Sequence, residues 1–93
     1  MIRSFRNDAA AAAWARRFVK GVPTSIMKAA YRKLLQIQNA RTLGDLRAPP
    51  GNRLERLTGD RTGQHGIRIN DQWRICFRWR DGDAHDVEIV DYH

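Results

Sequence analysis

Apolar residues follow three rhythms along the chain. Over Met1 to Phe5 they alternate, which predicts a short first strand, with Asn7 or Asp8 placed to cap a helix after it. From Asp8 to Lys20 the spacing lengthens. Ala10, Trp14 and Phe18 recur every four residues in an alanine-rich run, predicting a short amphipathic helix stopped by Gly21. A second, longer helix is expected after Pro23, with Thr24 or Ser25 as its cap and Ile26, Ala30, Leu34 and Ile37 on one face. Its other side carries Lys28, Arg32 and Lys33, which reads as a solvated helix face. Ala48-Pro49-Pro50-Gly51 is a stiff break that no helix can cross.

Beyond that break the rhythm is two. Leu54 to Leu57 predicts a short strand and Thr58 to Gly63 a loop, while Ile67, Ile69, Trp73, Ile75, Phe77 and Trp79 alternate with polar residues. A two-residue turn at Asn70-Asp71 would mix Ile67 with Arg74 on one face. A three-residue turn pairs Ile69 with Trp73 and Ile67 with Ile75, and sets Arg68 across from Arg74. Two like charges side by side call for an anion between them or for a nearby carboxylate, and the sequence leaves both open. The same reasoning predicts a three-residue turn at Asp81-Gly82-Asp83, so that Phe77 and Ile75 meet apolar partners on a last strand containing Val87 and Ile89. The plan is α+β: an N-terminal strand and two helices, then an antiparallel meander.

Length and charge narrow the picture. A chain of 93 residues, 42% of them hydrophobic, holds one compact domain, spanning residues 1–93, with a small core. Lys plus Arg is 17 against 10 Asp plus Glu, a formal charge of +7, and 14 of the cations are arginine. Planar arginine forks suit phosphate, so nucleic acid is the leading anionic partner, ahead of an acidic protein. The acids gather at one end: residues 81–93 carry five and no Lys or Arg. Some of Arg74, Arg78 and Arg80 are therefore candidates for cross-strand pairing with Asp86, Glu88 or Asp91. A lone Cys76 excludes an internal disulfide framework, and three scattered histidines offer no metal-ligand spacing, so neither metal nor cofactor is expected. No segment has the length of a membrane span or the order of a signal peptide, which predicts a cytoplasmic protein with no membrane contact.

A metal-free ribonuclease needs one group to take the proton of the ribose 2′-OH, another to protonate the leaving 5′-oxygen, and cations around the phosphate. Here Asp91-Tyr92-His93 ends the chain, Arg74 and Arg78 lie on a neighbouring strand, and Arg53, Arg56, Arg61 and Arg68 are close in sequence. Alternation puts Asp91 and His93 on the face opposite Arg74, so assembling them requires a bulge or a turned-out chain end. His65 and His85 fall in no motif. Trp73, Phe77 and Trp79 read as core rather than as stacking platforms, and Cys76 as a small sheet residue.

Arg3-Ser4-Phe5, Leu57-Thr58-Gly59-Asp60-Arg61 with Gly63, Ile67-Arg68-Ile69, Asn70-Asp71-Gln72-Trp73-Arg74-Ile75-Cys76-Phe77 and Val90-Asp91-Tyr92-His93 occur in that order. Together they resemble the HigB toxins of the RelE/ParE toxin-antitoxin superfamily. The likeness runs over essentially the full length; its specific parts are Trp73-Arg74-Ile75 and the terminal Asp91-Tyr92-His93, while the helices match only in pattern. It implies a RelE/ParE-like fold that enters the ribosomal A site and cleaves the mRNA there. It also implies silencing by a HigA-type helix-turn-helix antitoxin, with operator DNA bound only through that antitoxin.

By the same resemblance Arg74 matches the arginine that stabilises the transition-state phosphate, and Asp91 and His93 match the terminal acid and histidine. His93 would be general acid or base, Asp91 would orient or tune it, and Tyr92 between them would point into the core. Arg53, Arg56, Arg61, Arg68 and Arg78 are the expected RNA and ribosome contacts. Thr58 departs from the pattern, standing where a related toxin can present lysine, with Arg56 or Arg61 as candidate replacements. The rival function is that of a ParE-type toxin, which binds a protein target such as gyrase without cutting RNA.

Overall fold

The computed structural model describes residues 1–92. Asn7 starts the helical layer: its backbone is extended, and its side-chain oxygen accepts from the Ala10 amide at 3.1 Å, capping helix α1, Asp8–Trp14. The helix ends well short of the expected Lys20. Arg16 adopts φ 61°, and the Arg16 and Arg17 amides turn back to the carbonyls of Ala13 and Ala12 at 3.0 and 2.8 Å. This is a Schellman ending with arginine where glycine is usual. Phe18 is thereby thrown off the Ala10–Trp14 stripe and is 56% exposed. Helix α2, Thr24–Asn39, is capped by Pro23 with no side-chain hydrogen bond, in place of the expected Thr24 or Ser25 cap. Its buried Ile26, Ala30, Leu34 and Ile37 form the predicted stripe, joined by Met27.

Four strands follow: β1 Glu55–Arg56, β2 His65–Arg68, β3 Trp73–Arg80 and β4 Asp83–Asp91, antiparallel in the order β1-β2-β3-β4. The turn at residues 70–72 is the three-residue one. Ile67 faces Ile75, Arg68 faces Arg74, and the Ile69 amide donates to the Trp73 carbonyl at 2.9 Å. The next turn corrects the prediction. Arg80 pairs directly with Asp83, so only Asp81 and Gly82 make the turn, with φ of 53° and 79° as a type I′ hairpin requires. Ile75 still meets Ile89, because the register shifts by one residue between Cys76 and Arg78 and Asp86, at φ 53°, takes up the difference as a β-bulge.

The expected first strand is present only as two isolated parallel bridges, Ile2 to Ala84 and Phe5 to Val87, along the outer edge of β4. Ser4 explains why it attaches there. Its hydroxyl accepts from the Asp86 amide at 2.8 Å and its carbonyl from the Val87 amide at 3.0 Å, satisfying the backbone that the bulge displaces.

Trp73, Ile75, Phe77, Ile67, Val87 and Ile89 turn one face of the sheet toward both helices and are buried there with the α2 stripe. The other face carries Arg68, Arg74, Cys76, Arg78 and Glu88 by register. Fully buried Asn52 joins the two halves. Its amide group donates to Gln36 on α2 at 2.9 Å and to the Leu46 carbonyl at 3.1 Å, its side-chain oxygen accepts from Lys33, and its carbonyl accepts from the Arg68 amide at 2.7 Å. Burial, aided by Arg32, pushes the Lys33 amine below its usual pKa. Among the described residues no helix is long and apolar enough to cross a membrane.

Candidate functional site

Alternation along β3 and β4 decides which side chains can meet. Arg74 pairs with Val90 and Trp73 with Asp91, so Arg74, Val90 and Tyr92 share the open face while Asp91 falls on the helix-bearing side. Arg74 is half-buried. Its guanidinium donates to the carbonyls of Asn70 and, at 3.1 Å, Trp73, and lies 5.7 Å from the centre of the Tyr92 ring. Tyr92 is exposed beside that cation rather than in the core as expected. The signal for it was in the sequence, since one step of alternation after Asp91 returns to the Arg74 side. Asp91 closes β4 and accepts from the Gln72 amide group at 3.0 Å, and the Tyr92 amide donates to the Gln72 carbonyl at 2.7 Å. The 70–72 turn thus holds both Arg74 and the end of β4. His93 lies outside the described residues.

The other arginines are engaged differently. Arg68, opposite Arg74, forms an ion pair with Asp71 on the intervening turn, so a carboxylate relieves the like-charge pair. Arg61 pairs with Glu88, a buried carboxylate that Arg6 also approaches at 3.9 Å, and donates to Gln64 at 3.1 Å. The hydrogen bond to Glu88 holds the Arg61 guanidinium even more firmly charged than usual. Arg78 reaches Asp86 at 3.8 Å. This is one of the anticipated cross-strand pairs, while Glu88 serves Arg61 instead. Arg6, Asp60, Arg61, Gln64, Arg78 and Glu88 line a polar hollow of about 410 Å³ on the open face.

Arg53 is exposed just after Asn52 at φ 46°. Arg56 pairs with His65, which pairs with Phe77, so the register puts Arg56 on the helix-bearing side. Of the two candidates near Thr58, Arg56 faces the side of the sheet away from Arg74, and Arg61 is paired with Glu88. Burial pushes the Cys76 thiol up to about 11, which keeps it a neutral packing group. Among the described residues no three His, Cys, Asp or Glu side chains converge as a metal site.

Residues 4–93 match the family model described as the RelE-like toxin of the type II toxin-antitoxin system HigB. The chain belongs to the HigB-like toxin family. This HigB-like chain is 48% identical to Toxin HigB-1 of Vibrio cholerae over 63 residues, covering 68% of the chain and 66% of that relative. It is 31% identical to Endoribonuclease HigB of Proteus vulgaris over the whole length of both. A chain of the YoeB-YefM complex from Staphylococcus aureus has the same fold, with a TM-score of 0.63 at 17% identity, covering 100% of this chain and 98% of that one. Membership of a type II toxin-antitoxin family makes an antitoxin the partner of this HigB-like toxin.

Proposed function

We propose that the chain is an mRNA endoribonuclease that acts on translating ribosomes in the cytoplasm and is held in check by a HigA-type helix-turn-helix antitoxin. The observation that carries this reading is Arg74 beside Tyr92 on the open sheet face, next to the end of β4. Full-length similarity to a protein named an endoribonuclease supports the reaction class. The gyrase-binding alternative has no comparable support. Operator DNA would be bound only through the antitoxin.

In the proposed reaction the ribose 2′-oxygen attacks the adjacent phosphorus, and the bond from phosphorus to the 5′-oxygen breaks. His93 moves a proton as general base or general acid. The Arg74 guanidinium faces the charge that builds on the phosphoryl oxygens, with Tyr92 as the wall that fixes its direction. The proposed chemistry draws on these side chains and needs no metal ion. Asp91, held by Gln72, orients the chain end. Arg53, Arg68 and Arg78 supply phosphate and ribosome contacts, Arg56 contributes from the other side, and Arg61 acts mainly through Glu88. Without a lysine at Thr58 and with Arg61 neutralised, cleavage is slower than in relatives that carry that lysine. The ribosome supplies the orientation of the mRNA that so small a surface lacks.

Primer extension on a translated mRNA, with and without the protein, tests this proposal. Cuts that appear only when ribosomes translate the message are the expected result. An uncut message in growth-arrested cells would overturn the proposal and point to a binding toxin.

A further inference from the structure

The helical layer carries a second recess, remote from Arg74. About 470 Å³ lies between the C-terminal end of α1, with the turn that follows it, and the first turns of α2, floored by Ala13 and Met27 and walled by Phe18 and Tyr31. Arg16, Arg17, Lys28 and Arg32 rim it, and no carboxylate lines it. Two features are costly for a surface that does nothing. Arg16 stands in a left-handed conformation that disfavours any residue with a Cβ, and Phe18 is left 56% exposed as a result. The strained turn also sets the Arg16 guanidinium 4.7 Å over the Tyr31 ring, so the cation and the apolar wall are presented together.

We propose that this recess is where the antitoxin docks, through a segment that buries an apolar side chain against Phe18, Met27 and Tyr31 and sets Asp or Glu against the four cations. The proposal rests on the toxin-antitoxin reading and supplies the surface that reading leaves open. An acidic peptide segment fits better than RNA, because Ala13, Met27, Phe18 and Tyr31 offer an apolar floor and wall that an apolar side chain fills and a phosphate backbone does not. The phosphate-directed arginine Arg74 lies on the opposite face of the sheet. Apolar anchors seated in a pocket and ringed by charge are the usual centre of a protein interface.

Two variants test it with the purified cognate antitoxin as the probe. Phe18→Ser removes the exposed anchor, and the double change Arg17→Glu with Arg32→Glu reverses surface charge alone. Calorimetry is expected to show antitoxin binding weakened about 30-fold or more by each, with melting temperature and RNA cleavage unchanged. In cells both variants then remain toxic when the antitoxin is co-expressed. Binding within twofold of the wild type for both variants overturns the proposal. Unchanged antitoxin binding with lost RNA cleavage overturns it too and makes the recess a nucleic-acid surface. Weakened antitoxin binding in a chain that never cleaves RNA keeps the docking site and refutes only the endoribonuclease reading.

Discussion

Glu88→Gln isolates the buried ion pair beneath the open face. The substitution keeps size and shape but removes the charge that Arg61 and Arg6 both face. Breaking an exposed pair costs about 0–1 kcal/mol, and breaking a fully buried one about 3–5. The Glu88 side chain is 10% exposed and that of Arg61 30%, so the pair lies between those limits. Solvent screening at Arg61 reduces the upper figure, and about 2 kcal/mol is expected. For a chain of 93 residues the unfolding entropy is roughly 0.2 kcal/mol/K, which converts that loss to a fall in Tm of about 10 °C. The loss belongs to the pair rather than to Glu88 alone. A double-mutant cycle with Arg61→Met should therefore return a coupling of about 1–2 kcal/mol by urea denaturation. Additive single losses, or a Tm within about 2 °C of the parent, would refute the electrostatic reading of this site.

Three further outcomes are expected. Arg74→Ala should lower ribosome-dependent RNA cleavage by about 10²- to 10³-fold while leaving Tm nearly unchanged, because its hydrogen bonds go to the nearby carbonyls of Asn70 in the turn and Trp73 at the start of β3; primer extension and a melting curve read the two effects separately. Among the described residues the buried Nδ1 of His65 has no partner, and burial and then Arg56 lower its pKa, so the folded chain resists protonation there more than the unfolded chain does. The unfolded chain binds the extra proton first as pH falls through the ordinary value of 6.5. Stability should therefore fall as the pH drops below about 6.5, and His65→Leu should flatten that part of a Tm-against-pH curve. Asn52→Ala leaves Gln36, Lys33 and the Leu46 carbonyl short of a partner inside the protein and should cost about 2–3 kcal/mol by urea denaturation; a loss under about 0.5 would mean water replaces the amide.

Periodicity made the sheet legible because register has only two solutions at each turn, and burial of Ile67, Ile75 and Ile89 rejects one of them. It misread the hairpin at Asp81-Gly82 for an instructive reason. Core pairing fixes the total residue count between Ile75 and Ile89, yet it does not say whether the extra residue sits in the turn or in a bulge. Asp81 and Asp86 both tolerate positive φ, and the bulge is favoured because Ser4, some eighty positions away in sequence, satisfies it. Helix α1 was overextended because Arg16 ends it in a conformation that glycine normally announces. The place of Arg74 on the open face was legible, and that of Tyr92 was within reach of the same alternation. The roles of Glu88 and Asn52 depended on partners in distant segments, which spacing along the chain cannot reveal.

The attachment of residues 1–6 to β4 bears on how the protein behaves in solution. A nine-residue outer strand left bare is a template for another chain. At the far side of the sheet the risk is small, because β1 has only two residues, both exposed. On the β4 side the protection comes from backbone hydrogen bonds made by Met1, Arg3, Ser4 and Arg6 and from the pairing of the Met1 amino group and Arg3 with Asp83. Shortening the amino end, or crowding it with a bulky fusion, uncovers that strand. Such a chain would lose the packing of Ile2 and Phe5 against the core but keep its Arg74 surface, and would assemble edge to edge into dimers and aggregates, so the first six residues govern solubility more than catalysis.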